Sequence, residues 1–437
     1  MSELVVELYG RRIGVLTGER DSFDFTPDAD AMRHYGVGST ALSIAVPLAT
    51  PRSDGLALRR NFFEEILAEG RIRERLGANA RLDAENTVGL LKRYGRDVAG
   101  AVQIWDPEDA AEPRTPATRP VTDQEIASMF AEVKKNPLGN KGRRRLSSLA
   151  GVQDKVLLAL TGEGWAEPLD GYPSTHILKP VVGSMPSLIF DEEYGSRFAR
   201  ALGLADFTTT IASFDGTRAL VIERYDRDER RERIHQEDFN QVLGYRGDAK
   251  YEPEAGDGRL RQIAQTVREY ATVSDVRRLV RMMTLSAAVG NLDMHAKNIS
   301  ILHLPGDRVR LAPMYDVVPQ LHQDVDQETA LLINGTNAIE KITGGDLVAE
   351  AAGWGVRDAE AIVAETLEEI VAVVAHEKPL PGAHPSLSED IRRQTMKLQG
   401  SLASTSEPGA AEAHPRPGRD EIFPTRNAPG GWGGPVG

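Results

Sequence analysis

The chain has 437 residues, 41% hydrophobic and 27% charged, enough for roughly three domains with sizeable cores. No run of about 18 apolar residues occurs, which excludes a spanning helix, and the lack of cysteine excludes disulfides, thiolate catalysis and thiolate zinc sites. A net charge of −13 argues against a chain that coats nucleic acid by itself, and an amino terminus without the apolar core of a secretory signal points to the cytoplasm.

Residues 1 to about 105 combine strand-like runs, LVVELYG and RRIGVL, with one helix: in NFFEEILAEGRIRERLG the apolar Phe62, Phe63, Ile66 and Leu67 recur at helical spacing. The Pro-, Ala- and Thr-rich stretch 106–122 reads as a linker. A helix from Val121 to Asn136 opens on a capping box, Thr122 with Glu125 three positions on. The basic run Lys141 to Arg145 reads as solvated. DKVLLAL, the turn TGEG and THILK predict paired strands, EEYGSRFARALGL an amphipathic helix and RALVIERY a further strand. After about residue 236 the chain becomes mainly helical. VRRLVRMMTLSAAVG puts Val276, Leu279, Val280, Met283 and Ala287 on one face and stops at Gly290. From 401 onward a Pro/Gly-rich composition almost without core formers predicts a disordered tail.

The segment GNLDMHAKNISILHLPGDRVRLAPMYDVVP carries the chemistry. Asp293 and Asn298 stand five residues apart in a short loop, ISILHL and RVRLAPM form a hairpin across PGD, and Asp316 follows its second strand. Phosphoryl transfer needs this order: an aspartate for the proton of the substrate hydroxyl, an asparagine five positions on for a metal ion, and a second aspartate after a hairpin for the metal. Hard Mg²⁺ takes such oxygen ligands. His295 and Lys297 add donors toward the phosphates. The spacing alone arises by chance in many chains, and YDV in place of DFG excludes an ordinary eukaryotic-type kinase.

Upstream, the parts of a nucleotide lobe appear in order. SSLAGVQDK supplies small residues, with Gly151 allowing backbone N–H groups to approach phosphate. Lys179 ends the strand THILK, Glu193 lies fourteen residues later where it orients that lysine, and Glu223, Arg224 and Tyr225 form a hinge for adenine, the Tyr225 ring lying against the base. Singly, each is a loop, a surface lysine or a helix-start carboxylate. Six such parts in order over about 170 residues are poorly explained by chance.

With LYGRRIGVL, FFEEILAEG, SLAGVQDK, THILKP, ERYDR, HQEDF, KYE, GNLDMHAKN and LAPMYDV in view, residues 4 to about 400 resemble the HipA family, serine/threonine-protein kinase toxins of bacterial toxin–antitoxin systems. The resemblance implies an α+β, protein-kinase-like two-lobed fold, mixed α/β in the first lobe and all-helical in the second, with an extra amino-terminal α/β domain. The expected divisions are 1–120 for that domain, 121–230 for the first lobe, 231–400 for a helical second lobe and 401–437 for the tail. It implies ATP and Mg²⁺ as cofactors and Asp293 as the base. Lys179 would bind phosphate, and Asn298 and Asp316 the metal. Ala150, Gly151, Val152, Gln153, Asp154 and Lys155 would form the phosphate loop, and His295, Ala296, Lys297 and Tyr315 would complete the nucleotide site beside the hinge. Ser148, or its neighbour Ser147, is the expected autophosphorylation site that ejects this loop. The implied target is a translation component such as an aminoacyl-tRNA synthetase. The implied partner is a helix-turn-helix, HipB-like antitoxin, through which alone operator DNA is bound. No membrane role is implied. The segment PVVGSMPSLIFDE after Lys179, shorter than in the family, leaves the substrate open. Two other readings are a co-repressor that binds nucleotide without catalysis and a small-molecule kinase. Retention of every catalytic residue opposes the first, and the extra amino-terminal domain opposes the second.

Overall fold

The computed structural model describes residues 2–112, 114–142, 144–252 and 256–402; the Pro/Gly-rich stretch from 403 onward and Arg143 of the basic run lie outside the described residues. Among the described residues, no helix is long and apolar enough to cross a membrane.

The amino-terminal part contains β1 (Ser2–Leu8), β2 (Arg11–Glu19), β3 (Ser22–Pro27), α1 (Ala29–Tyr35), α2 (Leu56–Glu65), α3 (Gly70–Ala80), α4 (Thr87–Tyr94) and β4 (Val102–Trp105). Its antiparallel sheet has the order β3-β2-β1-β4. Leu4, Val6 and Leu8 alternate into one face of β1 and meet Phe62, Phe63, Ile66 and Leu67 in a core that also takes in Leu138 and Leu157 from the next part of the chain. The single helix expected over 61–77 is two. Ile66, Leu67 and Ala68 are all buried after Phe62 and Phe63, more apolar surface than one helical stripe can hide. The helix therefore stops, Glu69 becomes extended and Gly70 adopts φ +49°.

The next layer contains β5 (Ala117–Pro120), α5 (Asp123–Glu132), β6 (Val156–Thr161), β7 (Gly164–Leu169), β8 (His176–Pro180), α6 (Leu188–Ala201), β9 (Thr209–Phe214) and β10 (Thr217–Glu223). The six-stranded sheet runs β5-β7-β6-β8-β10-β9. The linker expected at 106–122 thus holds an edge strand, and an edge is where Pro120 is tolerated. The capping box of α5 is present, Thr122 and Glu125 each bonding the other's backbone. The basic run is not simply solvated. Arg145 is 1% exposed and donates to the carbonyls of Leu138 and Leu157, while Arg144 pairs with Asp170 and Lys141 with Glu132.

The remainder contains β11 (His235–Asp238), α7 (Phe239–Leu243), α8 (Arg259–Tyr270), α9 (Val273–Val289), β12 (Ser300–Leu304), β13 (Arg308–Leu311), β14 (Glu328–Ile333), β15 (Thr336–Ala338), α10 (Gly344–Gly353), α11 (Ala359–His376) and α12 (Leu387–Leu402). It is mainly helical but not all-helical as expected, because β11 to β15 pair within it. The expected hairpin β12–β13 is joined by β11 in a three-stranded sheet, and β14–β15 is a hairpin that the sequence reading missed. Val276, Leu279, Val280, Met283 and Ala287 of α9 lie in the largest core. Helix α12 reaches Leu402, two residues into the expected tail.

Helix α6 joins the two halves. A Cβ on Gly195 would stand 2.1 Å from the carbonyl oxygen of Val317, just beyond Asp316. Alanine is the better helix former by up to ~1 kcal/mol, but backbone cannot yield to a methyl at that distance. Gly195→Ala is predicted to lower stability by about 2 kcal/mol or more, read as a fall in the urea midpoint; an unchanged or raised midpoint would show that the packing yields.

Candidate active site

A cavity of about 780 Å³ lies where the three parts meet, lined by Phe62 and Glu69 from the first, Lys155 and Lys179 from the second and Asp293 and Asp316 from the third. That volume suits a small-molecule ligand.

Lys179, on β8, is 4% exposed, and its ammonium lies 2.7 Å from Glu192 and 2.5 Å from Asp316. Burial alone would push its pKa down, but the two carboxylates outweigh burial and hold it above the ordinary lysine value. The expected orienting residue, Glu193, is not the partner. Adjacent helical residues point about 100° apart, so Glu193 faces Arg197 at 2.8 Å while Glu192 faces Lys179. Burial, with Asp316 nearby, raises the Glu192 carboxyl, and its second oxygen has no hydrogen-bond partner. Asp316 stands at φ +55°; against burial, Lys179 keeps its carboxyl strongly acidic.

Asp293 follows α9 in the loop expected for it, with half of its side chain exposed. Burial of the rest and the charge of Asp316 raise its carboxyl to about 6. The Tyr251 hydroxyl donates to Asp293 Oδ1 at 3.2 Å, and the Asn298 amide nitrogen donates to the Asp293 carbonyl at 2.7 Å. Asn298 Oδ1 is thereby left as an acceptor. With Asp316, which lines the same cavity, it would supply an all-oxygen donor set of the kind that holds Mg²⁺ alongside phosphate oxygens. Among the described residues, no group of three or more His, Cys, Asp or Glu could hold a metal, so such an ion would depend on its ligand's oxygens as well.

Two neighbours differ in what they can offer. His295, pushed down to about 4 by burial and by Lys250, is neutral at pH 7, and its Nδ1 lacks a partner. The expectation that Lys297 serves the phosphates is corrected. Its ammonium is buried at 2.8 Å from both Glu65 and Asp238, so it ties α2 to the second lobe instead. Ala296, fully buried, opens the short 3₁₀ turn that carries Lys297 and Asn298.

The phosphate-loop candidates Ala150 to Lys155 line the cavity. Gly151 has φ +97°, and the space a Cβ would take is filled by the Lys155 ammonium, which donates to the Ala150 carbonyl at 2.8 Å. Burial, with Lys179 nearby, lowers Lys155 to about 8. Val152 is exposed, and Asp154 pairs with Arg71 at 2.8 Å. Just before the loop, Ser147 Oγ donates to Asp97 at 3.0 Å and Ser148 Oγ accepts the Ala68 N–H at 2.9 Å. Both serines are buried.

The hinge candidates Glu223, Arg224 and Tyr225 border the cavity as well. The Arg224 guanidinium is engaged by Asp226, Ser174 and the Val98 carbonyl, and its backbone N–H donates to the Thr175 carbonyl at 2.9 Å. The Tyr225 ring stacks on Tyr315 at 5.3 Å, and the Tyr315 hydroxyl donates to the Lys297 carbonyl at 2.6 Å. The sequence reading missed Glu69, Glu192, Lys250 and Tyr251. For Glu69 the available signal was the glycine that follows it, a helix breaker inside the assumed helix.

Comparison with known proteins finds relatives in sequence and in fold. The model of the HipA-like C-terminal domain matches residues 147–374 and that of the HipA N-terminal domain residues 4–105. Y4mE of Sinorhizobium fredii, whose kinase activity is itself an inference, is 32% identical over 68% of this chain and 71% of its own. The serine/threonine-protein kinase toxin HipA of Shewanella oneidensis is 28% identical over 72% of this chain and 75% of its own. The Shewanella oneidensis HipA, HipB and operator DNA complex contains a chain that superposes with a TM-score of 0.71 at 24% identity, covering 92% of this chain and 97% of that one. The fold is accordingly the kinase-like α+β fold of HipA.

Two stability measurements check this geometry. Glu192→Gln leaves buried Lys179 with one carboxylate and is expected to cost about 2–3 kcal/mol; Glu193→Gln, at a buried carboxylate whose partner Arg197 is partly exposed and also paired with Glu377, should cost less, about 1 kcal/mol. Equal losses in urea would undo the assignment of Glu192. Asp293 is a case of the opposite sign: its folded pKa of about 6 lies above the ordinary 3.8, so ionisation destabilises the fold. That penalty is absent below about pH 4 and complete above about pH 6. After discounting for solvent screening, Asp293→Asn should raise stability by about 0.5–1 kcal/mol at pH 7.5 and by nothing at pH 4. A loss at pH 7.5 would contradict the strained carboxylate.

Proposed function

The chain belongs to the HipA family, and from that premise we propose that it is an ATP-dependent serine/threonine-protein kinase, the toxin of a HipBA-like toxin–antitoxin module. The observation that carries this reading is the convergence of Lys179, Asp293, Asn298 and Asp316 on one cavity. In it, residues 1–120 form the HipA-type domain, 121–230 the nucleotide lobe and 231–400 the helical lobe, with 401–437 as a tail.

ATP binds with its adenine at the backbone of Glu223 to Tyr225 and its phosphates under the amides of Ala150 to Lys155. Lys179, aimed by Glu192 as a positioning residue, faces those phosphates with a permanent positive charge. Asn298 Oδ1 and Asp316 would hold Mg²⁺, which would supply positive charge toward the phosphates. Asp293 accepts the proton of the incoming hydroxyl; its raised pKa makes the carboxylate a better base while leaving it ionised at pH 7. The Tyr251 hydroxyl on Asp293 Oδ1 marks where a substrate hydroxyl would sit. Asn298 braces the base by holding the Asp293 carbonyl.

The acceptor is a serine of a translation component, such as an aminoacyl-tRNA synthetase, and growth arrest follows. Self-inactivation uses Ser148 or Ser147. Neither is accessible while packed against Ala68 and Asp97, so modification requires the segment to leave. A phosphate there could not return beside Asp97 without burying like charges. A helix-turn-helix, HipB-like antitoxin is the partner and brings operator DNA, in keeping with the acidic net charge of −13. The cell compartment is the cytoplasm.

Incubation with labelled ATP and Mg²⁺ should place phosphate on Ser147 or Ser148, and Asp293→Asn should reduce labelling at least about 100-fold. Equal labelling of both proteins would reject the kinase reading.

A further inference from the structure

Glu69 belongs to the amino-terminal part, yet its carboxylate sits in the cavity of the kinase lobes. One oxygen accepts the backbone N–H of Gly151 in the phosphate loop at 3.3 Å. The other accepts the ammonium of Lys250 at 2.8 Å. Lys250 in turn precedes Tyr251, whose hydroxyl bonds Asp293. The flanking residues of the same turn hold the same loop. The Ala68 N–H meets Ser148 Oγ at 2.9 Å, and Arg71 meets Asp154 at 2.8 Å. Residues 68–71 thus touch the chain just before the loop, at Gly151 within it and at Asp154 near its end. They can do so because the α2–α3 break turns this stretch toward the cleft.

We propose that Glu69 is a positioning residue of the kinase site: it pins the phosphate loop inward from the amino-terminal domain, so that this domain sets the balance between the packed loop and its released form. Two donors converge on this side chain, one on each oxygen. A carboxylate satisfies both, whereas an amide offers one acceptor and one donor, so a glutamine must turn its NH₂ toward either Gly151 N–H or the Lys250 ammonium. The contact is therefore lost by a change of one atom, without a cavity. The role assigned to the loop rests on the function proposed above, but its position does not depend on catalysis.

The test exploits the absence of cysteine in the chain. Ser148→Cys places a single thiol at a position that is 0% exposed, and its rate of alkylation in the full-length protein reports how often the loop opens. Adding Glu69→Gln should raise that rate about tenfold or more, the equivalent of one lost hydrogen bond to a charged group, with the melting temperature within a few degrees of the parent. A rate within about twofold of the parent would overturn the proposal. Should Glu69→Gln fail to fold, Glu69→Asp carries the same expectation and the same overturning result. It keeps the charge but is one methylene too short to reach Gly151 and Lys250 together. In the active protein, released loops should raise the KM for ATP more than they lower kcat, a split that general loss of stability would not produce. No ATP enters the alkylation experiment. A protein without kinase activity would leave its result standing, and unchanged alkylation in an active kinase would remove the pin alone.

Discussion

The ammonium of Lys179, buried between Glu192 of α6 and Asp316 of the second lobe, is the contact on which the rest of the cleft depends. A lysine at 4% exposure is tolerable only with counter-charge at hand, and here that charge comes from both sides of the cavity. The pairing joins the β-sheet that carries Lys179 to the segment that follows the β12–β13 hairpin. It explains why α6 must approach Val317 so closely that Gly195 has no room for a methyl group. It also leaves like charges nearby. Asp316 and burial together lift Asp293 and Glu192, so strain on carboxylates is concentrated where an incoming cation would relieve it.

The same constraint recurs at the amino-terminal domain. Glu65 pairs with Lys297 and Glu69 with Lys250, each bond crossing from the first part of the chain to the last. Asp97 lies within 3.4 Å of Arg227 and 3.7 Å of Arg233 and also receives Ser147 Oγ and the Ser174 N–H. Against its burial, the arginines hold its carboxyl below the ordinary aspartate value. A buried charge whose partner lies on another part of the chain is satisfied only when both parts are in place. The amino-terminal domain is therefore a wall of the cavity, not an appendage to it.

How much of this was legible in the sequence depends on the range of the forces involved. The capping box at Thr122 and Glu125, the α9 stripe from Val276 to Ala287 and the β12–β13 hairpin all rest on local spacing, and each stands where its spacing puts it. The choice between Glu192 and Glu193 could not be made that way, because both lie in the same helix and only the position of β8 decides which one meets Lys179. The edge strand at Ala117–Pro120 was hidden for a similar reason: a proline-containing run becomes a strand only when β7 offers it a partner. The helix break at Ile66 to Glu69 follows from the burial of more apolar side chains than one stripe can cover, a property of the surrounding core.

By itself the sequence determined the family, through motifs whose order is a matter of covalent spacing, and with it the lobed fold and the identities of Lys179, Asp293, Asn298 and Asp316 as the groups of interest. Only the tertiary structure decided what those groups touch. It gave Lys179 to Glu192, withdrew Lys297 into a buried pair and brought Glu69 into the cleft from residues more than two hundred positions before Asp293. Spacing along a chain specifies neighbours within a turn or a hairpin, but counter-ions across a cavity are chosen by the packing of whole layers, where the cost of an unpaired buried charge rules out other arrangements.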